Sequence, residues 1–526
     1  MKCLDKPKLF LFPLLFGLVL LVYSWFSSYP LGIYSVDDYV FNHLSILYWF
    51  GLSITLASLL LIAATSKNNT VKWVMIVAIV TVMYSLSYFY SSLPTSDANF
   101  YRGLHENFAN TKSLDISSFR QSYFQWPSVF ILTYVATSVS GLSLANFEFL
   151  IYGIIGFLLA TTLYVYSSKV FEKGGFLAVV AFFIVNTAYV NYQFAAYSIA
   201  FCFLLLLFIM DTERPSSSIT LTILLLFMTV TITHAYIPVF FSIFLLINWV
   251  ITRSKRYGEL FLLTLSTYFL YQFTLASFSF ANNILRALNQ ESELSRVVTI
   301  VPWSHPIDAI AQQFTAPTLV ICAVVSFVGF ILLLTKRRLR HQDKAIFLTG
   351  GLYLCLGLVL YTLGSRAIAV AFIPIALGAS FLFQSKFRKY VVAVFLVLLL
   401  TFAFIPMRLT FFKAGLFFQM DQGYESANFL VDNYNWTEHS LIVADYRTTD
   451  YLACRVTGNA EFNTVPDPST FKLADTIFYD VGLGINMDHY FTYTIEETLD
   501  ENMLDVFYDN GYSLVIQRPD LKMLSD

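Results

Sequence analysis

The sequence predicts an α-helical polytopic membrane protein, with about 13 transmembrane helices and a small extracytoplasmic α/β domain at the C-terminal end. Three observations predict it. Of 526 residues, 57% are hydrophobic and only 13% are charged, about half the charge of an ordinary soluble chain. Apolar runs of roughly 17–22 residues, the length that crosses about 30 Å of hydrocarbon, recur along residues 1–408. The connections between them alternate between those that carry Lys and Arg and those that do not. In a membrane protein the net charge of −2 says nothing about nucleic acid, which is not an expected partner.

The expected spans are 9–26, 45–64, 73–90, 146–166, 175–191, 195–211, 217–233, 236–252, 259–278, 317–335, 345–363, 367–384 and 390–408. The first follows Lys2, Lys6 and Lys8 and runs into bulky residues, not into a small-residue cleavage site, so it reads as a retained span. One side of the membrane collects those lysines, then Lys67 and Lys72, Lys169 and Lys173, Arg214, Arg253 to Arg256, Lys336 to Lys344, and Lys386 to Lys389. The positive-inside rule makes that side cytoplasmic. The N-terminus is then cytoplasmic, and everything after Arg408 lies outside.

The outer side therefore receives 27–44, 91–145, 279–316 and the tail 409–526. Within 91–145 the stretch Trp126 to Gly141 is apolar but short. It reads as a helix in the outer interface, with Trp126 at headgroup level and Pro127 in its first turn, because a full span would put Lys169 and Lys173 outside. The tail holds 19 acidic against 6 basic residues. Residues 440–447 (SLIVADYR) and 511–518 (GYSLVIQR) read as short buried strands, and DTIFYD and IEETLDENMLDVFYDN as helical or mixed pieces. The five cysteines, Cys3, Cys202, Cys322, Cys355 and Cys454, fall in separate regions, so no structural disulfide is expected.

The connections on the cytoplasmic side are too short to fold a nucleotide site. The chain has no Gly-rich phosphate loop, no Cys or His cluster at zinc spacing and no GxSxG elbow. These absences argue against ATP-driven and nucleotide-sugar chemistry inside, and direct attention to the outer face. There the polar stretch Ser91 to Trp126 interrupts the apolar series. As a helix it stacks Asp97, Tyr101 and His105 at i, i+4 and i+8, and pairs Arg102 with Glu106. Asp37 and Asp38 sit in the first outer loop, His234 at a turn between spans, His305 in the third outer loop, and Arg366 at the opening of a span. A carboxylate beside His and Arg at an interface binds a lipid phosphate and deprotonates an acceptor hydroxyl. The competing reading is that interfacial Arg, His and Trp anchor helices.

The run Ser96-Asp97-Ala98-Asn99-Phe100-Tyr101-Arg102-Gly103-Leu104, followed by an aromatic-Pro pair and an apolar helix ending in Ser-Gly-Leu-Ser, resembles the first outer loop of the GT-C superfamily. These are integral-membrane glycosyltransferases that use polyprenyl-phosphate-linked sugars, among them protein mannosyltransferases, aminoarabinose transferases and oligosaccharyltransferases. The resemblance implies a GT-C-like transmembrane domain over 1–408, with its catalytic loop at 91–145, and an outer domain over 409–526. It gives Asp97 the part of catalytic base or metal ligand. Two departures stand out: the loop follows the third span and not the first, and the WWDYG signature of oligosaccharyltransferases is absent. Transfer of a single sugar is therefore favoured.

The expectation is a glycosyltransferase that moves a sugar from a polyprenyl-phosphate carrier to a lipid-linked glycan, lipid or protein acceptor on the outer face of the cell membrane. Tyr101, Arg102, His105, His234, His305 and Arg366 are candidates for substrate binding. Asp97, with Asp37 and Asp38, is the candidate set for a divalent metal such as Mg or Mn. A glycan polymerase or ligase of the O-antigen type is the first rival and would rely on Arg286, Arg296 and His305. A transporter or flippase is the second, and would show repeat symmetry and charges near mid-membrane.

Overall fold

The computed structural model describes residues 6–28, 45–65, 69–84, 96–114, 120–171, 175–185, 196–277, 321–335, 340–359, 361–384, parts of 390–398, 427–432, 441–443, 452, 455, 461–463, 476–480, 505–509 and 513–517. In chain order the helices are α1 (Lys6–Ser28), α2 (Ile46–Thr65), α3 (Asn69–Tyr84), α4 (Ser96–Thr111), α5 (Ser128–Ser140), α6 (Leu144–Val170) and α7 (Gly175–Val185). They continue with α8 (Ala196–Asp211), α9 (Ser217–Thr233), α10 (Ile237–Thr252) and α11 (Lys255–Thr274). After these come α12 (Ile321–Leu334), α13 (His341–Val359) and α14 (Tyr361–Gln384). Apart from α4 and α5, each overlies a span expected from the apolar runs.

The core forms where a helix is apolar all round. In α7, Leu177, Ala178, Val179, Val180, Ala181, Phe182 and Phe183 are all buried, as are successive residues of α14 from Val370 to Leu382. Helix α7 packs against α6 and α14, and α8 against α6, α9 and α10. Two crossings are tight enough to require glycine. A Cβ on Gly378 of α14 would strike the backbone of α12 at Ser326 and Phe330, and one on Gly51 of α2 would sit 2.9 Å from the Gly17 carbonyl of α1.

The outward surface is apolar too. Phe12, Leu15, Phe16, Val19, Val22, Tyr23 and Phe26 form one exposed face of α1, Leu221, Leu225 and Met228 one of α9, and Leu262, Leu263, Leu270 and Phe273 one of α11. Each such side chain left in water forgoes about 1.5–3 kcal/mol of burial, and helix-period stripes of this kind are covered by lipid. Phe10–Ser27 and Asn146–Val170 are long and apolar enough to cross a membrane. The chain is thus a membrane-embedded helical bundle.

Polar contacts gather at the two ends of the bundle. At one end Lys169, closing α6, pairs with Glu213, and the ammonium holds that carboxyl below the ordinary carboxylate range. There too Gln342 Nε2 donates to the Asp211 carbonyl (2.6 Å) and Arg256 lies 3.7 Å from the Asp211 carboxylate. At the opposite end Ser128 donates to Thr233 (2.6 Å) and the Tyr271 hydroxyl to the Gln125 carbonyl (2.5 Å). The basic connections and the polar helix α4 therefore lie at different ends.

The tail contains a five-stranded mixed sheet of β1 (Leu441–Val443), β2 (Glu461–Asn463), β3 (Thr476–Asp480), β4 (Asp505–Asp509) and β5 (Ser513–Gln517), in the order β2-β1-β3-β5-β4. β1 runs parallel to β2 and β3, while β5 pairs antiparallel with β3 and β4. β1 and β5 fall where strands were expected. Of the pieces DTIFYD and IEETLDENMLDVFYDN, expected to be helical or mixed, the described parts Thr476–Asp480 and Asp505–Asp509 are strands. Their Thr, Ile, Val, Phe and Tyr are strand formers, and each segment finds a register along β5, for example Phe478 opposite Val515.

Candidate active site

Helix α4 spans Ser96–Thr111, where the spacing of Asp97, Tyr101 and His105 called for a helix. It stops at Lys112, which takes a left-handed conformation (φ 52°) while its N–H reaches the Phe108 carbonyl at 2.8 Å. One face is buried through Tyr101, Leu104, His105 and Phe108. These meet Phe124 and Phe130, forming an aromatic bed separate from the main core. Phe130 anchors it: the Tyr101 ring stacks near it at 6.4 Å, the His105 ring meets it edge-on at 5.1 Å, and Phe124 packs across it at 5.1 Å.

Phe130 comes from α5, whose 13 residues span about 20 Å at 1.5 Å per residue, too little to cross a bilayer. Pro127 is its N-cap, one position earlier than expected, and Gly141 ends it in the left-handed conformation (φ 71°) that glycine adopts freely. Ile131, Leu132, Val135 and Val139 face outward. Trp126 is buried, and among the described residues its indole N–H finds no acceptor.

Two polar contacts hold α4 in place. His105 Nδ1 lies 3.0 Å from Glu148 Oε1 of α6, both side chains being almost wholly buried. The other ring nitrogen, Nε2, lies 3.5 Å from the Thr133 hydroxyl of α5. On the half-buried flank Arg102 and Glu106 form the expected i, i+4 pair at 3.3 Å. The other Glu106 oxygen lies 3.5 Å from Nε of Arg455. Glu106 thus sits between two guanidinium groups, one of them from the tail.

His234 caps the C-terminal end of α9, and its Nδ1 accepts the Tyr236 N–H at 3.2 Å. Its ring meets Tyr197 edge-on at 6.3 Å, and Tyr197 also packs on the aromatic bed of α4. The structure therefore brings Tyr101, Arg102, His105 and His234 to one end of the bundle. Asp97 occupies the first turn of α4, and its side chain is outside what the structure describes. Arg366 lies inside α14, which begins at Tyr361 and not at Arg366 itself; its side chain is likewise outside. Asp37, Asp38, His305, Arg286 and Arg296 are outside the described residues.

Sequence reasoning missed Glu148 and Arg455. A lone Glu near the start of an apolar helix was a usable signal, because a carboxylate entering a span needs a partner. Arg455 gave none, since its partner lies in a different region of the chain.

Among the described residues no three His, Cys, Asp or Glu side chains gather to hold a metal ion. The described carboxylates of this region are poor donors for a divalent cation, Glu106 being flanked by two cations and Glu148 bound by an imidazole.

Fold and site define a membrane-embedded helical bundle that carries, at one end, a polar helix on an aromatic bed in contact with the tail. No family model matches the chain, and no curated protein matches it in sequence. Among solved structures it is similar to a crystal structure of ArnT from Cupriavidus metallidurans bound to undecaprenyl phosphate, at 11% identity and a TM-score of 0.39, over 85% of this chain and 98% of that one.

Proposed function

We propose that the protein is a glycosyltransferase that moves a single sugar from a polyprenyl-phosphate carrier to a lipid, glycan or protein acceptor at the outer face of the cell membrane. The observation that carries this reading is the setting of α4. The helix whose sequence resembles the GT-C catalytic loop is fixed on an aromatic bed at the bundle end away from the basic connections, with Arg102, His105 and Glu106 on it and Glu148 of α6 against it. By the positive-inside rule that end faces outward, with the N-terminus in the cytoplasm.

In the proposed reaction Asp97 takes the proton of an acceptor hydroxyl. The acceptor oxygen bonds to the anomeric carbon of the sugar as the bond from that carbon to the phosphate oxygen breaks, and polyprenyl phosphate leaves with the electron pair. The growing charge on phosphate is stabilised by nearby cations, with Arg102 first among them. Asp37 and Asp38, with Asp97, are the proposed ligands should the reaction need a divalent ion.

The test is transfer of radiolabel from a panel of polyprenyl-phosphate sugars into membrane extract by the purified protein in nanodiscs, with and without EDTA. Asp97→Asn is expected to lower transfer at least ~100-fold, the scale of a lost general base, with an unchanged melting temperature. Undiminished transfer by the variant would remove Asp97 from the mechanism, and a large loss of thermal stability would make it a structural residue.

A further inference from the structure

Helix α11 packs against α9 and α10 and buries Leu260, Thr264, Tyr268 and Gln272, a stripe of residues one helical turn apart. Lower on the stripe Thr264 is satisfied within the protein: its hydroxyl donates to the Phe261 carbonyl at 3.0 Å and accepts from Ser242 at 3.3 Å. Gln272 is not. It is 0% exposed, and among the described residues neither its Nε2 nor its Oε1 finds a partner. An amide withdrawn from water without compensation is costly, and polar side chains held inside a membrane bundle mark substrate paths. Trp126 is in the same condition, buried with an indole N–H that meets no acceptor among the described residues. A contact between their sequence neighbours brings the two to one level of the bundle, the Tyr271 hydroxyl donating to the Gln125 carbonyl. Trp126 also adjoins the helix of the proposed chemistry. It meets Tyr123 edge-on at 6.5 Å, and Tyr123 meets Tyr101 of α4 edge-on at 6.2 Å.

The amide supplies two donors and an acceptor, and the indole one donor, with no charge on either. A phosphate or carboxylate would meet the donors but repel the amide carbonyl. An ammonium would meet the carbonyl but face the N–H groups, and the buried stripe of α11 carries no carboxylate to pair with it. A hydroxyl both donates and accepts, so adjacent hydroxyls on one ring serve both ends of the amide. Tyr268 and Trp126 add the aromatic surface that lines small-molecule sites.

We infer that Gln272 and Trp126 form a subsite that holds the donor's sugar by its hydroxyl groups, and that this sugar is uncharged. The inference rests on the transferase reading above and extends it from the carrier to the group transferred.

The test melts the full chain in phosphatidylcholine nanodiscs with three probes: bare polyprenyl phosphate, its hexose conjugate and its amino-sugar conjugate. The hexose conjugate is expected to raise the melting temperature above that given by the bare carrier, and the amino-sugar conjugate is not. No difference between hexose conjugate and bare carrier overturns the inference, and an equal rise with the amino sugar overturns the assignment to an uncharged sugar. Gln272→Met keeps the chain length and removes the amide. It is expected to weaken binding of the hexose conjugate about tenfold, as loss of two neutral hydrogen bonds does, while the response to the bare carrier is kept. Without any probe it should melt at or above the wild-type temperature, because an unsatisfied polar group has left the interior. A variant that melts well below wild type, or fails to fold, would show that the amide is already bonded, by water or by protein, and would overturn the inference. Trp126→Phe keeps the aromatic body without the N–H and is expected to weaken the hexose conjugate several-fold; wild-type affinity in both variants overturns the inference. Label transfer at low donor concentration separates the two readings. Transfer by Gln272→Met at the wild-type rate overturns this inference alone. A hexose effect that depends on Gln272, with no transfer from any donor, supports the subsite and removes the transferase reading.

Discussion

Glu148 is the residue on which the placing of α4 turns. It lies inside the first turns of an apolar helix, where an unpaired carboxylate is costly, and its Oε1 is met by His105 at 3.0 Å. Truncating it removes a buried polar contact of the imidazole, a loss of about 1–3 kcal/mol. Glu148→Ala should therefore lower the melting temperature in detergent clearly. Glu148→Gln, which keeps a carbonyl oxygen in reach, should cost less. Equal losses from the two variants would show that His105 is held by packing against Phe130 and not by its hydrogen bond. On the transferase reading proposed above, transfer should fall further in Glu148→Ala than the folded fraction does, because the His105 ring loses the contact that orients it.

At the scale of elements the bundle depends on backbone contact between helices. Gly378 lies so close to α12 that a single methyl group would meet its backbone, while a Cβ on Gly351 would find only ordinary contact with Phe330 at 3.9 Å. Gly378→Ala should destabilise by about 1–3 kcal/mol through overpacking. Gly351→Ala should be neutral or gain up to about 1 kcal/mol from helix propensity. Thermal unfolding of the two in one detergent checks the contrast. The helices were readable from sequence because a bilayer imposes a length and an apolar composition on each span, and α4 because its polar residues repeat at helical spacing. The strands at Thr476–Asp480 and Asp505–Asp509 were not. Five-residue runs with acidic ends show too little periodicity to choose between strand and helix, and only pairing with Ser513–Gln517 decides them. The site divides in the same way. The pair Arg102–Glu106 follows from local spacing, whereas His105–Glu148 and Glu106–Arg455 join distant parts of the chain.

At the scale of the whole molecule, contacts within the bundle separate its polar residues into two ends, independently of the charge rule that assigns them to sides. Lys112 follows α4 at one end and Lys255 opens α11 at the other, and both are exposed. In a cysteine-free background, Lys112→Cys should react with a membrane-impermeant maleimide in intact cells, and Lys255→Cys only after permeabilisation. The opposite pattern would invert the molecule and move the proposed chemistry to the cytoplasmic face. The meeting of Glu106 with Arg455 also has a consequence for biogenesis. The two residues are separated by most of the chain, and at roughly 5–20 residues per second of synthesis the second emerges on the order of half a minute after the first. Throughout that interval the newly inserted bundle holds α4 without its tail partner. The pairing of Glu106 with Arg455 is thus completed only after the rest of the bundle has been made.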